Sequence, residues 1–254
     1  MSLQSEFARI AATDGRAALV TVISGSDLGA KLLVHADGSR EGSLGSDELD
    51  REGVSAAEEL LWAERSETRE CGETLLFVDV VAPAPRLVVF GAVDYSAALC
   101  RLARAAGWRS YVCDPRSQFA TPERFPDADE VIVAWPEEAF ARLGGIDRAT
   151  YIAVLTHDPK LDDAALSIAL QSEAAYVGAM GSRRAQAQRR ERLVAAGLDE
   201  ALLERVAAPI GLDLGAVSPE ETALSIMSEV VAVRNGRDGG RLSQSAGRIH
   251  EVGA

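Results

Sequence analysis

The sequence predicts an α/β protein in which a doubly wound, mostly parallel sheet forms the C-terminal domain and a smaller α+β domain precedes it. After residue 86, short apolar runs such as RLVVF and TYIAVL alternate with amphipathic stretches of helical length. Strands that are apolar throughout belong to a parallel sheet covered on both faces by crossover helices. Before residue 82 the apolar runs are instead separated by turn signals, as in an antiparallel arrangement. Between the two regions, VAPAPR (81–86) sets two prolines two residues apart. This makes an extended, non-helical connector and places the domain boundary.

In the N-terminal domain, residues 1–82, AALVTVIS and AKLLVHADGSREGSLG read as strands. The Asp37-Gly38 pair is the turn of a hairpin, since glycine tolerates positive φ. SAAEELLWAERS, with Leu60, Leu61 and Trp62 among helix formers, reads as a helix, and TLLFVDVVA as the closing strand. The C-terminal domain, residues 86–236, then runs RLVVF, SAALCRLARAAG; RSYVCD; EVIVAW, PEEAFARLG; TYIAVL, KLDDAALSIALQ; AAYVGAM, SRRAQAQRRERLVAAG. A last helix spans SPEETALSIMSEVVAVRNG, with Ser218 as N-cap, Pro219 in the first turn and Gly236 at its end. The remaining 237–254 are polar and glycine-rich and read as a flexible tail.

The chain has 254 residues, 47% of them hydrophobic, and a net charge of −13 with a pI near 4.8. Affinity for nucleic acid comes mainly from clustered basic residues, so this balance excludes a nucleic-acid partner. No apolar run reaches the roughly 20 residues that span a bilayer, and no signal peptide opens the chain, which predicts a cytoplasmic protein. Cys71, Cys100 and Cys113 are odd in number and lack C-x-x-C spacing, so neither a disulfide framework nor a zinc site is indicated. There is no G-x-S-x-G elbow for a hydrolase triad.

In an open parallel sheet ligands bind beyond the carboxyl ends of the strands, where the strand order reverses. The strand tips here are Gly91, Asp114, Thr156-His157-Asp158 and Gly181-Ser182-Arg183. FGAVDYS occupies the place of a dinucleotide-binding loop in a Rossmann-like βαβ unit, with Asp114 about 20 residues on as the ribose acid. However, Val93 and Ser96 stand where the second and third glycines belong, and a β-branched side chain obstructs approach to a pyrophosphate. At the fifth tip, Gly181 and Ser182 precede a helix that opens with Arg183 and Arg184, a combination suited to phosphate. Arg189, Arg190 and Arg192 read as a solvated helix face with Glu191 interleaved. Asp162 and Asp163 fit a helix N-terminus. His157 is open to three roles: general base, metal ligand or anchor for a ligand.

Four stretches, DPRSQFATPERFPDAD, LTHDPKLDDAAL, YVGAMGSRRAQAQRRERL and APIGLDLGAVSPEETALSIMSEVVAVR, closely resemble the xanthine dehydrogenase accessory protein family, XdhC/CoxI. The matches run in order from about residue 86 to 236, and GAKLLVHADGSREGSLGSDELD is similar to the family's N-terminal part. The resemblance implies a maturation factor that binds molybdenum cofactor (molybdopterin), protects it while a cofactor sulfurase installs its sulfido ligand, and delivers it to a molybdenum hydroxylase apo-enzyme of the xanthine or CO dehydrogenase type. It implies a cofactor chaperone without catalytic residues or a metal site. The expected cofactor-binding set is Gly91, Asp94, Asp114, Arg116, Thr156, His157, Asp158, Gly181, Ser182 and Arg183.

The chain departs from the family where GSDELD places Ser46 and Asp47 at glycine positions, Glu48 at a cysteine position and Asp50 at a glutamate position. It also has Val93 and Asp94 where relatives often carry glycine and histidine. The chain thus resembles a divergent member of the family. The alternatives are an NAD(P)-dependent Rossmann oxidoreductase and a ligand-free module that recruits partner enzymes. A homodimer is also expected, because a small N-terminal region must bury its apolar strands against something.

Overall fold

Alternation of side chains along each strand sets where the two cores lie. The computed structural model describes residues 2–244 and divides into two compact units, residues 1–83 and 84–254. His250 and most of the expected tail lie outside the described residues.

The first unit holds an antiparallel sheet of β1 (Ala17–Ser24), β2 (Lys31–His35), β3 (Arg40–Ser43), β4 (Glu67–Cys71) and β5 (Thr74–Val81) in the order β3-β2-β1-β5-β4. Two helices join it, α1 (Leu3–Ala12) and α2 (Asp47–Ala63). Ala18, Val20 and Val22 of β1 pack with Ala57, Leu60 and Leu61 of α2, whereas Ala17 and Leu19 pack with Phe7 and Ile10 of α1. Both sheet faces are therefore covered from within the chain. The burial that pointed to a homodimer is already supplied by α1 and α2. GSDELD proves to be the start of α2: the Ser46 hydroxyl accepts the Leu49 N–H at 3.2 Å, and Asp47, Glu48 and Asp50 lie in the first turn. Negative charge there is favoured by the helix dipole.

The second unit is a six-stranded parallel sheet of β6 (Arg86–Phe90), β7 (Arg109–Cys113), β8 (Glu130–Ile132), β9 (Thr150–Val154), β10 (Tyr176–Ala179) and β11 (Val206–Ala207). Its order is β11-β10-β9-β6-β7-β8. The helices are α3 (Asp94–Ala105), α4 (Pro136–Arg142), α5 (Pro159–Leu170), α6 (Arg183–Ala195), α7 (Glu200–Leu203) and α8 (Pro219–Arg234). Val88, Phe90, Ile152 and Val154 pack with Phe140, Leu166 and Leu193 of α4, α5 and α6. Leu87, Val89, Tyr151 and Ala153 pack with Leu99, Ile226 and Val230 of α3 and α8. Period-2 alternation thus sends neighbouring apolar residues into two cores, which is why these strands are apolar throughout. Strand order reverses between β6 and β9, and this places the crevice of the fold there.

The helix starts follow local chemistry. Ser218 and Glu221 form a reciprocal capping box at α8, with Ser218 Oγ accepting the Glu221 N–H at 3.1 Å. Ser218→Ala is expected to destabilise the second unit by about 1 kcal/mol. Leu166→Ala, a fully buried site, should cost about 2–5 kcal/mol. Urea denaturation of each variant measures both effects.

Candidate functional site

The tips of β9 and β10 are held together by a buried polar network. Thr156, 1% exposed, donates its hydroxyl to Asp162 Oδ1 at 2.9 Å and accepts the Asp158 N–H at 2.8 Å. Arg189 reaches Asp162 Oδ2 at 2.7 Å from α6, donates to the Met180 carbonyl at 3.0 Å, and bonds the Gln186 side chain. Gln186 in turn donates to the Ala179 carbonyl at 3.2 Å. Burial pushes the Asp162 carboxyl above the usual range, and the hydrogen bonds from Arg189 and Thr156 offset this only in part. The network fixes the backbone from which His157, Gly181 and Ser182 project.

Arg189 therefore does not belong to a solvated helix face: it is 5% exposed and shares one helix stripe with buried Leu193, four residues on. Arg192 instead forms a two-pronged pair with Asp163 at 2.6 and 2.9 Å, and Arg190 pairs with Glu200 and Glu204. Asp162 is likewise more than a helix-start acid, since it is buried against Arg189.

At the neighbouring tip, Gly91 has φ +116°, and a Cβ there would lie 2.9 Å from Thr156 Cγ2. The β6 and β9 loops therefore touch, and only glycine permits it. Ser96, at the third position of the loop pattern, is buried and donates to the Gly91 carbonyl at 2.5 Å. Asp114 is fully buried. It accepts the Ala92 N–H at 2.8 Å, the Arg116 N–H at 2.9 Å, and two guanidinium bonds from Arg116 at 2.9 and 2.7 Å. Burial alone would raise its carboxyl, but the Arg116 and backbone hydrogen bonds outweigh it and hold it below the usual range. Its oxygens are thus taken up by protein donors. Ala92, Val93, Asp94, Arg116, Phe119 and Arg124 line an open cleft of about 270 Å³ at the start of α3. Arg124 donates to the Ala92 carbonyl at 3.1 Å and to Asp94 at 3.2 Å.

The expected residues thus lie on one sheet edge. Gly91 meets Thr156, Asp114 meets Arg116, and the Asp158 charge acts on Arg116. His157, Ser182 and Arg183 project from this edge, with His157 and Arg183 exposed. Asp158 caps α5 through the Lys160 N–H at 3.0 Å, and Ser182 caps α6 through the Ala185 N–H at 3.2 Å. Lys160, Arg183 and Arg184 sit in the first turns of α5 and α6, and none of them pairs with a carboxylate among the described residues. A cation at a helix N-terminus opposes the dipole by about 0.3–1 kcal/mol. Three cations thus stand at the helix starts of this edge. Asp162, Gln186, Arg189 and Arg124 bond to the strand tips and loops of this edge, and the sequence reading gave none of them a place there.

Residues 87–230 match the family described as XdhC Rossmann domain, and residues 10–72 match the XdhC and CoxI family. The chain belongs to the XdhC/CoxI family. Among its relatives, a probable xanthine dehydrogenase component of Bacillus subtilis (strain 168) is 30% identical over 161 residues, which is 63% of this chain and 46% of the relative. The molybdenum cofactor insertion chaperone PaoD of Escherichia coli (strain K12) is 28% identical over 152 residues, 60% of this chain and 41% of that protein. The chain thus spans less than half the length of these curated relatives. A crystal structure of a xanthine dehydrogenase from Bacillus halodurans superposes with a TM-score of 0.64 at 25% identity, covering 92% of this chain and 67% of the other.

Two expectations follow from the geometry of this XdhC-type edge. Arg189→Met leaves Asp162 buried without its partner and should cost about 3–5 kcal/mol, part of which a second change, Asp162→Leu, restores; denaturant titration of the single and double variants reads this. The depressed Asp114 carboxyl contributes stability that is present above its unfolded-state value, about 3.9, and lost as pH falls through its lower folded-state value. The stability gap between wild type and Asp114→Asn should therefore narrow as pH drops below about 4, measured as Tm against pH.

Proposed function

We propose that this chain is an accessory factor that binds molybdenum cofactor at the carboxyl edge of its six-stranded sheet and passes it to a molybdenum hydroxylase of the xanthine or CO dehydrogenase type. The observation that carries the reading is the cationic rim of Lys160, Arg183 and Arg184, without carboxylate partners among the described residues, on a chain of net charge −13. The cofactor's phosphate fits the start of α6, where Arg183 and Arg184 stand beside backbone N–H groups. Its flat, hydrogen-bonding pterin suits the tip that carries His157 and Asp158, whose backbone the buried Thr156 hydroxyl holds from beneath. The bound cofactor would bring the redox chemistry that its client enzyme uses. The names of relatives in Bacillus subtilis and Escherichia coli support a role beside such enzymes.

The chain's own residues would hold and orient the ligand. Burial pushes the Cys71 and Cys100 thiols up to about 11 and Cys113 to about 12. At neutral pH these thiols stay protonated and are poor sulfur nucleophiles. On this reading the sulfido group comes from a partner sulfurase, with this chain sheltering the cofactor meanwhile. The oxidoreductase alternative is disfavoured by Asp114, whose oxygens are occupied by Ala92 and Arg116, and by Val93 at the loop.

Anaerobic ultrafiltration of the purified protein with molybdenum cofactor, with NAD(P) alongside, tests the reading. Near-stoichiometric cofactor binding is expected, weakened about tenfold or more by Arg183→Ala, the loss of a charge-assisted hydrogen bond, and weakened also by His157→Ala. Binding of NAD(P) without the cofactor would overturn it.

A further inference from the structure

Charge is divided along the carboxyl edge of the six-stranded sheet. Arg183 and Arg184, at the start of α6 after β10, are exposed and have no carboxylate partner among the described residues. At the opposite end, after β8, Val133 and Trp135 are 46% and 50% exposed. They alternate with buried Ala134 and Pro136, so both side chains point outward. Glu137 and Glu138 follow in the first turn of α4, exposed and without a basic partner among the described residues. An indole beside carboxylates is a surface that receives a guanidinium, which stacks on the ring and pairs with the acids. Trp and Arg are also the side chains that most often anchor protein interfaces.

The two ends are placed to meet in a second copy. In the order β11-β10-β9-β6-β7-β8, β10 and β8 each lie two strands from β6, about 10 Å at the usual strand spacing. α4 and α6 pack on the same face of the sheet. A two-fold axis normal to the sheet at the tip of β6 therefore sets the α6 start of one copy against the α4 start of the other, twice. Such a contact is isologous and closes at two copies.

We propose that the chain self-associates through this edge as a two-fold dimer, in which Trp135, Glu137 and Glu138 of each copy cover Arg183 and Arg184 of the other. The contact belongs to the second unit and is distinct from burial of the N-terminal sheet, which α1 and α2 supply. The net charge of −13 on each copy opposes it only weakly, because the screening length is about 8 Å at physiological salt. In the dimer the second copy's carboxylates occupy the cationic rim, so an anion that takes the arginines competes with self-association. The dimer rests on these charges and stands whether or not the cofactor reading does.

Sedimentation velocity of the purified chain over a dilution series at physiological salt tests this. A concentration-dependent equilibrium between monomer and dimer is expected. Arg183→Glu with Arg184→Glu, and separately Glu137→Lys with Glu138→Lys, should each weaken it about tenfold or more, because like charges then face each other. Mixing the two variants should restore a dimer, since both of its contacts again join opposite charges, and inorganic pyrophosphate should shift the wild type toward monomer. An unchanged circular dichroism spectrum shows that each variant folds. A chain that stays monomeric, variants that dimerise as the wild type does, folded variants that fail to associate when mixed, or a dimer indifferent to pyrophosphate would overturn the proposal.

Discussion

Burial of one parallel sheet on both faces governs everything at the site. β6, β9 and β10 have no solvent-facing side on which to carry polar groups: Ile152 and Val154 pack toward α4, α5 and α6, while Tyr151 and Ala153 pack toward α3 and α8. Polar chemistry can emerge only where the strands end. Because the order reverses between β6 and β9, α3 and α5 leave the sheet on opposite faces, and the loops that lead to them line a crevice. Its floor is closed by contact of Gly91 with Thr156. A larger residue at 91 would have to push apart two strands already bonded through the Leu155 N–H and the Phe90 carbonyl at 2.8 Å.

How far the sequence showed this depends on the range of the interaction concerned. The central strands were legible because double burial leaves runs apolar at every position, and topology then put Gly91, Thr156 and Gly181 on one edge. β4, ETREC, was not legible, since as an edge strand with alternating exposure it is held by pairing with β5 and carries few apolar residues. The stripe of Leu3, Phe7 and Ile10 that seats α1 was present but short. Arg189 was hidden for a different reason. Its local context is RRER, and only the fold reveals that Asp162, 27 residues earlier, stands opposite it.

GSDELD has a local structural role of its own at the start of α2. The acidic residues at 47, 48 and 50 serve the start of α2, where Ser46 caps and Asp50 accepts the Leu44 N–H at 2.5 Å. At the β6 loop Asp114 is buried. Instead of facing a ligand it pins the Ala92 N–H and Arg116, so the loop is rigid before anything binds.

The edge therefore divides its work between two kinds of group. Asp162, Arg189 and Asp114 are buried and bound to backbone and to neighbouring side chains, which gives geometry that does not depend on a ligand. Lys160, Arg183 and Arg184 are exposed and placed against their helix dipoles, which gives attraction for an anion in a setting screened by salt. On the proposed reading this division suits a carrier better than a turnover enzyme. A ligand enclosed by the buried groups would leave slowly, whereas one held by exposed cations on a rigid base can be transferred once a partner presents a stronger set of contacts, because most affinity differences are expressed in the rate of release.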